Sequence, residues 1–400
     1  ELSTMIAIGS VYGELVAIPA AFFAFAGITK AAQMPFNSWL LGAMVAPTPT
    51  SALLHSSTMV KAGVFMIIKL APVLGMGNFA GIMVMMVGGI TFLFATFAAV
   101  SQSNAKRVLA YSTIANLGLI VTCGGIGTAE AVWAGVMLII FHAVTKSLLF
   151  LCVGTAEHNI GSRDIEDMDG LFVRMPKLAS FMIIGIAGMF LAPFGMLISK
   201  WAAMTAFVDS GNVILVAIIC FGSAVTAFYW IKWMGKLAGI VAGEERIDQN
   251  VHKEETFVHM TLVVLTVLVC LLFPLVSMYM LVPYLEIVFG GLSAMVLSAD
   301  NMIIMVVMIA VLVLLTGLFF GKTNKKIVPI YLSGANKGDN LTYEGSMHEP
   351  VEFKLRNWHM ESYFGEKKMN LIGGVACTLM LVIGIGIMVG TLISLLGGVA

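Results

Sequence analysis

Charge is what this 400-residue chain has least of: 11% of its residues are Asp, Glu, Lys or Arg, while 59% are hydrophobic. An average globular protein is about a quarter charged, so too little polar surface exists here to cover a water-soluble domain. The mean hydropathy of +0.98 agrees, and the chain's solvent is mostly lipid. Neither sign of charge is in excess, with Lys+Arg and Asp+Glu at 22 each. That balance sets aside a nucleic-acid partner and an acidic solvating tail. Cysteine is scarce and scattered: Cys123, Cys152, Cys220, Cys270 and Cys377 stand singly in apolar runs, without C-x-x-C or any other metal-ligand spacing. The chain is therefore expected to hold no cofactor or metal of its own and no disulfide framework. It starts at Glu1 without a basic n-region and short h-region, so no cleavable signal is expected, and it reads as beginning partway through a longer product.

What fills the sequence instead is long apolar runs. A helix satisfies its own backbone and needs about 20 mostly apolar residues to cross the hydrocarbon. Such stretches lie near 12–30, continuing as a broken half-helix to 44, then 49–70, 77–100, 108–126, 131–155, 178–206, 211–235, 257–280, 301–320 and 370–397. They predict an all-α polytopic transmembrane fold of about ten spans that needs no strands. Leu281–Ala299 is apolar but contains Pro283, Glu286 and Gly290-Gly291, which fits an interfacial or re-entrant segment.

Loops rich in Lys and Arg stay cytoplasmic. The basic loops Lys106–Arg107, Arg163–Lys177 and Lys232–Lys253 and the polar segment Lys322–Lys368 share one side if Leu281–Ala299 does not cross. That side is predicted to be cytoplasmic and the C-terminus to lie outside. Lys322–Lys368 lacks a helical apolar period and carries Gly334, Gly338, Gly345 and Pro350, as a cytoplasmic loop or small docking surface would. Gly384, Gly386 and Gly390 in the last span suit close helix packing.

Ionisable side chains inside uncharged spans are the informative residues, because each costs at least ~2.5–3.5 kcal/mol to insert. Lys30, Lys61, His142, Lys146 and Lys200 stand out, with His55 as a sixth. Lys69, near the predicted end of its span, reads instead as a lysine snorkelling to the headgroups, and Glu14 as an interfacial helix-start residue. His142 and Lys146 are four apart on one helix and so share a face. A lysine in a dry pocket beside another positive charge loses its preference for the charged form. A row of such groups is what a proton path needs. Prolines add a second signal. Pro35 follows Lys30, and Pro193 precedes Lys200 by a turn or two. A proline in a helix interior breaks the hydrogen-bond ladder, and paired discontinuous helices mark transport sites. Pro47 and Pro49 mark a further break ahead of the next span.

The stretch Lys30-Ala-Ala-Gln-Met-Pro35 through Trp39, followed by Ala46-Pro-Thr-Pro-Thr50 through His55 to Lys61-Ala-Gly63, resembles the signature of the antiporter-like proton-translocating membrane subunits. These occur in respiratory complex I, in Mrp-type antiporters and in energy-converting hydrogenases. Lys106-Arg-Val-Leu-Ala-Tyr-Ser-Thr113, Phe141-His-Ala-Val-Thr-Lys-Ser-Leu-Leu-Phe-Leu151, Arg163-Asp-Ile165 and Ser199-Lys200 continue the match in order, from about Ala24 to about Trp233. The resemblance implies inverted repeats, each with a broken helix and a central lysine, joined by a hydrated midplane row of charged residues. It assigns Lys30 and Lys200 to the two broken helices, His55 and Lys61 to the helix after the first, and His142 and Lys146 to the bridge between repeats.

The implied organisation is residues 1–75 as the second part of a first repeat that is incomplete at its N-terminus. A second repeat over 76–237 follows, with its broken helix near 193–200, then added helices over 238–321, the polar segment 322–368 and a C-terminal helix over 369–400. The family's partner glutamate for the first lysine lies upstream, and Glu14 is in the wrong helix to replace it. Lys322–Lys368 lacks the long amphipathic helix of the complex I branch and is more similar to the hydrogenase branch.

The resemblance therefore implies a proton-translocating, possible sodium-translocating, subunit of a redox-driven pump in a prokaryotic plasma membrane, with a ferredoxin-linked hydrogenase as the expected driver. Its partners would be other membrane subunits, the bilayer and a peripheral redox arm that carries the NiFe centre and iron–sulfur clusters. An Mrp-type sodium/proton antiporter subunit, a complex I subunit and a non-conducting membrane anchor are the alternatives. Nothing in the residues separates proton from sodium.

Overall fold

The computed structural model describes residues 13–75, 77–191, 195–239, 246–247, 251–289, 307, 310–311, 314, 335–337, 342–352 and 358–397. Its long helices are α1 (Gly13–Lys30), α2 (Thr48–Ser56), α3 (Met59–Leu74), α4 (Phe79–Val100), α5 (Ala105–Ile126) and α6 (Ala129–Ile160). They continue with α7 (Pro176–Phe190), α8 (Gly195–Asp209), α9 (Val213–Ala238), α10 (Lys253–Val276) and α11 (Glu366–Gly397). Eight of the described helical stretches are long and apolar enough to cross a membrane. The predicted span at 301–320 lies outside the described residues apart from a few helical positions.

Helix ends follow local chemistry. Asn78, Asn104, Thr128 and Asn212 each accept a hydrogen bond from the backbone N–H three residues on, which opens α4, α5, α6 and α9. Gly127 and Gly161 take the left-handed conformation that closes α5 and α6. All of the spanning window of α5 is buried, and the helix sits against α3, α4 and α6 at the centre of the molecule. α10 and α11 bury little of their surface and turn apolar side chains outward.

The two proline breaks differ in what is described. α1 ends at Lys30 and gives way to a turn over 31–37, after which Ser38–Gly42 and a 3-10 turn, Ala43–Val45, resume the course. The chain leaves the helix at Ala32, held at φ +52°, three residues before Pro35. That left-handed geometry is costly for a residue with a Cβ, and full burial of Ala31, Ala32 and Met34 holds it in place. Pro47 is the N-cap of α2 and Pro49 lies in its first turn, so these two prolines start a helix, where a missing N–H is harmless, instead of interrupting one. Pro193 lies outside the described residues; α7 ends at Phe190 and α8 begins at Gly195 on either side of it.

Three expectations need correction. The described part of Leu281–Ala299 does not stand apart from the preceding span: the helix runs on from Val276 through a π turn, Ser277–Leu281, to Phe289, and residues 290–299 lie outside the described residues. Pro274 and Pro283 flank that turn and lack the N–H groups of a regular ladder, so the ladder widens between them. Strands do occur, in the polar segment, where Ala335–Asn336, Thr342–Glu344 and Pro350–Glu352 form a small antiparallel sheet. Lys106 is no loop residue; it lies in the first turn of α5, buried.

α11 returns from the polar segment to pack on α4 and to touch α1. Gly373 is essential to the fit, since a Cβ there would come within 2.4 Å of Met34 Sδ and 2.9 Å of Phe94. Asn370 then joins two elements: it accepts from Asn37 Nδ2 at 3.0 Å and donates to the Tyr111 hydroxyl at 2.7 Å.

Candidate functional site

Four of the six predicted ionisable residues come together in the interior. His55 on α2, Lys61 on α3, and His142 and Lys146 on α6 are all buried. The charges of Lys61, Lys146 and His55 all reach His142. Tertiary packing makes this possible: α2 and α6 lie side by side, as do α3 and α5 and, in turn, α5 and α6. The backbones of α1 and α3 touch at Gly63, where a Cβ would sit 2.5 Å from the Ala31 nitrogen.

Lys146 is the best-held member. Its Nζ donates to the Leu109 carbonyl at 3.0 Å and to the Ser112 hydroxyl, both on α5, and lies 5.1 Å from the centre of the Trp230 ring on α9. Trp230 stacks on Trp233 at 5.8 Å. The ammonium thus has two oxygen acceptors and an aromatic face in place of water, and a cation over a desolvated indole gains about 2 kcal/mol. The other three are held differently. Both ring nitrogens of His55, both of His142 and the Lys61 Nζ are buried with no hydrogen-bond partner among the described residues. Buried polar groups almost always find a partner, in protein or in ordered water, so five such nitrogens in one neighbourhood set this interior apart from ordinary packing.

The other two residues stand apart. Lys200 is buried on α8, which packs along α6, but it is not among the charges that reach His142. Lys30 departs from the expected burial: its side chain at the end of α1 is exposed. The Glu14 side chain lies outside the described residues.

Sequence reasoning missed the supports. Ser112 and Trp230 carry no charge and gave no signal on their own. Lys106 and Glu157 form an ion pair of 2.9 Å between the start of α5 and the end of α6, and Glu157 also pairs with Arg163. Opposite charges at two helix ends were visible, but not that those ends meet.

An all-helical membrane protein with a broken helix beside a buried row of lysines and histidines belongs to the class of membrane-embedded, antiporter-like subunits. The particular family follows from comparison. The family model for the NADH:quinone oxidoreductase/Mrp antiporter transmembrane region matches residues 1–226, and the chain belongs to that family.

Among its relatives is the Staphylococcus aureus (strain MRSA252) protein mnhA2, which carries the name of an antiporter subunit. It is 34% identical over 297 residues, covering 67% of this chain and 37% of that protein. The same protein from strain USA300 / TCH1516 is 35% identical over 254 residues, covering 55% of this chain and 32% of that one. The chain thus spans about a third of the length of these relatives.

Two solved structures share the fold. A chain of the membrane-bound sulfane sulfur reductase, an archaeal respiratory membrane complex, superposes with a TM-score of 0.61 at 26% identity, covering 72% of this chain and 58% of that chain. A chain of the Mrp complex from Dietzia sp. DQ12-45-1b gives 0.60 at 25% identity, covering 81% and 37%.

Proposed function

We propose that this chain moves protons through the membrane from Lys30 through His55 or Lys61, His142 and Lys146 to Lys200, as a subunit of a multisubunit complex. The observation that carries the reading is the set of five buried, unpartnered nitrogens beside an anchored Lys146. Groups that close together influence one another's charge, so adding or removing a proton at one end changes the proton affinity of the next. Hydration lets the change travel as proton transfer. The similarity to a respiratory membrane complex supports electron transfer in partner subunits as the driver. We place a ferredoxin-linked hydrogenase first, with its NiFe and iron–sulfur centres held by those partners. A second reading, sodium/proton exchange without electron transfer, is favoured by the similarity to mnhA2 and to the Mrp complex.

The test begins with the tagged chain purified with its partners from native membranes. Hydrogen evolution from reduced ferredoxin supports the redox reading, and its absence together with pH-gradient-driven sodium uptake supports the exchanger. In either complex, Lys146→Ala is expected to abolish ion movement. Unchanged pumping in that variant would sink the relay.

A further inference from the structure

α11 is held along one face, while Leu371, Val375, Leu379 and Val382 on its other faces are exposed. Glu366, Asn370, Gly373 and Cys377 are spaced four, three and four residues apart, so they lie along one side of the helix, and each meets a particular partner. Glu366 pairs with the Arg107 guanidinium of α5. Asn370, one turn on, donates to the Tyr111 hydroxyl at 2.7 Å and accepts from Asn37 Nδ2 at 3.0 Å. Because Arg107 and Tyr111 are also four apart, the two helices meet rung for rung. Gly373 admits the Met34 side chain. Cys377 Sγ lies 3.7 Å from the Thr91 hydroxyl, which accepts the Met34 backbone N–H at 3.2 Å.

These contacts reach the break after Lys30. Met34 and Asn37 lie within it, and both are buried. Asn37 stands at the N-cap position of the short helix Ser38–Gly42 yet makes no capping bond with its side chain, although asparagine is among the best capping residues. Its amide is given to α11 instead. On the far side of the same Asn370 amide, Tyr111 belongs to the turn of α5 whose Leu109 carbonyl and Ser112 hydroxyl hold Lys146 Nζ. One side chain on α11 thus stands between the break that follows Lys30 and the seat of Lys146. An alkyl side chain would fill the same space. What the amide adds is direction, since its acceptor and its donor fix two elements at once, and polar side chains that bond across helices hold membrane helices to one arrangement.

We propose, resting on the relay reading above, that Asn370 is a positioning residue: its amide ties the break after Lys30 to the turn of α5 that seats Lys146, and α11 is the strap that keeps the two in register. Asn370 carries no proton of its own, because a carboxamide does not titrate in the range where lysine and histidine exchange protons. It acts through Asn37 on one side and Tyr111 on the other. The Glu366–Arg107 pair and the Cys377–Thr91 contact set α11 in place above and below it, so the amide meets both partners without searching for them.

The test uses the full chain in its native complex, in membrane vesicles, with ion movement as the readout. Asn370→Leu keeps the bulk and removes both hydrogen bonds, and ion movement is expected to fall about fivefold or more, the scale on which an interhelical hydrogen bond counts. Asn370→Gln keeps the amide and is expected to recover most of the rate. Combined with Ser112→Ala, Asn370→Leu is expected to be no slower than the slower single variant, because both disturb the seat of Lys146; losses that multiply would show that Asn370 acts elsewhere. Asn37→Cys with Asn370→Cys keeps the idea testable if Asn370→Leu fails to assemble. Bridging that pair with a short bifunctional thiol reagent is expected to raise its ion movement, and reduction to lower it again, while the parent complex with its own cysteines is unaffected. A bridge that stops ion movement would overturn the strap, since α11 would then have to part from the break in each cycle. Full ion movement in Asn370→Leu, where Lys146→Ala is dead, would remove the strap and leave the relay standing. Ion movement that survives Lys146→Ala would instead remove the relay itself.

Discussion

Glu157→Gln is expected to destabilise the protein more than Lys106→Met, although the two residues form one ion pair. Lys106 is 2% exposed and Glu157 23%, so the lysine is the partner that water cannot rescue. Glu157 also keeps Arg163 when Lys106 is gone, whereas Lys106 loses its one ion-pair partner among the described residues when Glu157 is neutralised. Removing one partner of a fully buried pair costs about 3–5 kcal/mol, and the partial exposure of this carboxylate brings the expectation for Glu157→Gln to roughly 2–3 kcal/mol. For Lys106→Met the expectation is about 1 kcal/mol or less, because a half-exposed pair such as Glu157–Arg163 already counts for little and the methionine fills the lysine's space. The combined variant is expected to be more stable than Glu157→Gln alone, since it removes the stranded charge. The assay is a double-mutant cycle on the detergent-purified complex, followed by intrinsic tryptophan fluorescence on heating at a fixed scan rate. Additive losses, or a larger loss for Lys106→Met, would refute the view that buried Lys106 depends on Glu157.

Other expectations rest on separate contacts. Ser112→Ala removes one of the two oxygens that hold Lys146 and Trp230→Leu removes the ring beneath it. Each is expected to slow ion movement by tenfold or more with the complex intact, and wild-type rates in both would show that Lys146 needs neither support. Gly63→Ala places a Cβ 2.5 Å from the Ala31 nitrogen. Because that nitrogen and the Gly27 oxygen, at 2.6 Å, are both backbone, α1 and α3 must part, and a loss of about 1–3 kcal/mol is expected, read as a lower melting temperature.

His359, outside the spans, meets Lys232 at 3.1 Å and lies 3.5 Å from Glu166. Burial, and next the nearby Lys232 charge, hold its imidazole below the usual histidine range. A base depressed in the folded state stabilises it above the ordinary histidine value, and that stability is lost as pH falls through that value toward the depressed one. Exposure of the neighbouring Trp358 to acrylamide quenching is therefore expected to rise below about pH 6.5 and to become independent of pH in His359→Gln.

Much of the fold was written in the chain's composition. With 11% charge, nearly every long apolar stretch has one stable fate, a helix that closes its own hydrogen bonds in lipid. That is why most of the spans read from the sequence recur within a few residues of their predicted limits. Lysines and histidines inside those spans were equally legible, since a charge so costly to insert stands out against its neighbours. The continuation of α10 to Phe289 was not legible, because prolines and glycines in an apolar run are compatible with a π turn, a re-entrant loop or a break. Packing against the rest of the chain chooses among them.

By itself, then, the sequence determined that this is a membrane protein with helical spans, ionisable groups buried in them and a helix broken after Lys30. Only the tertiary structure decided which of those groups meet. His55, Lys61, His142 and Lys146 share one neighbourhood because α2, α3, α5 and α6 pack together, while Lys30 points outward and Lys200 keeps to α8. The local periodicity of a helix fixes which face a residue occupies, but the partner of that face comes from segments tens of residues away. The Ser112 hydroxyl, the Leu109 carbonyl and the Trp230 ring acquire meaning only when Lys146 is placed among them.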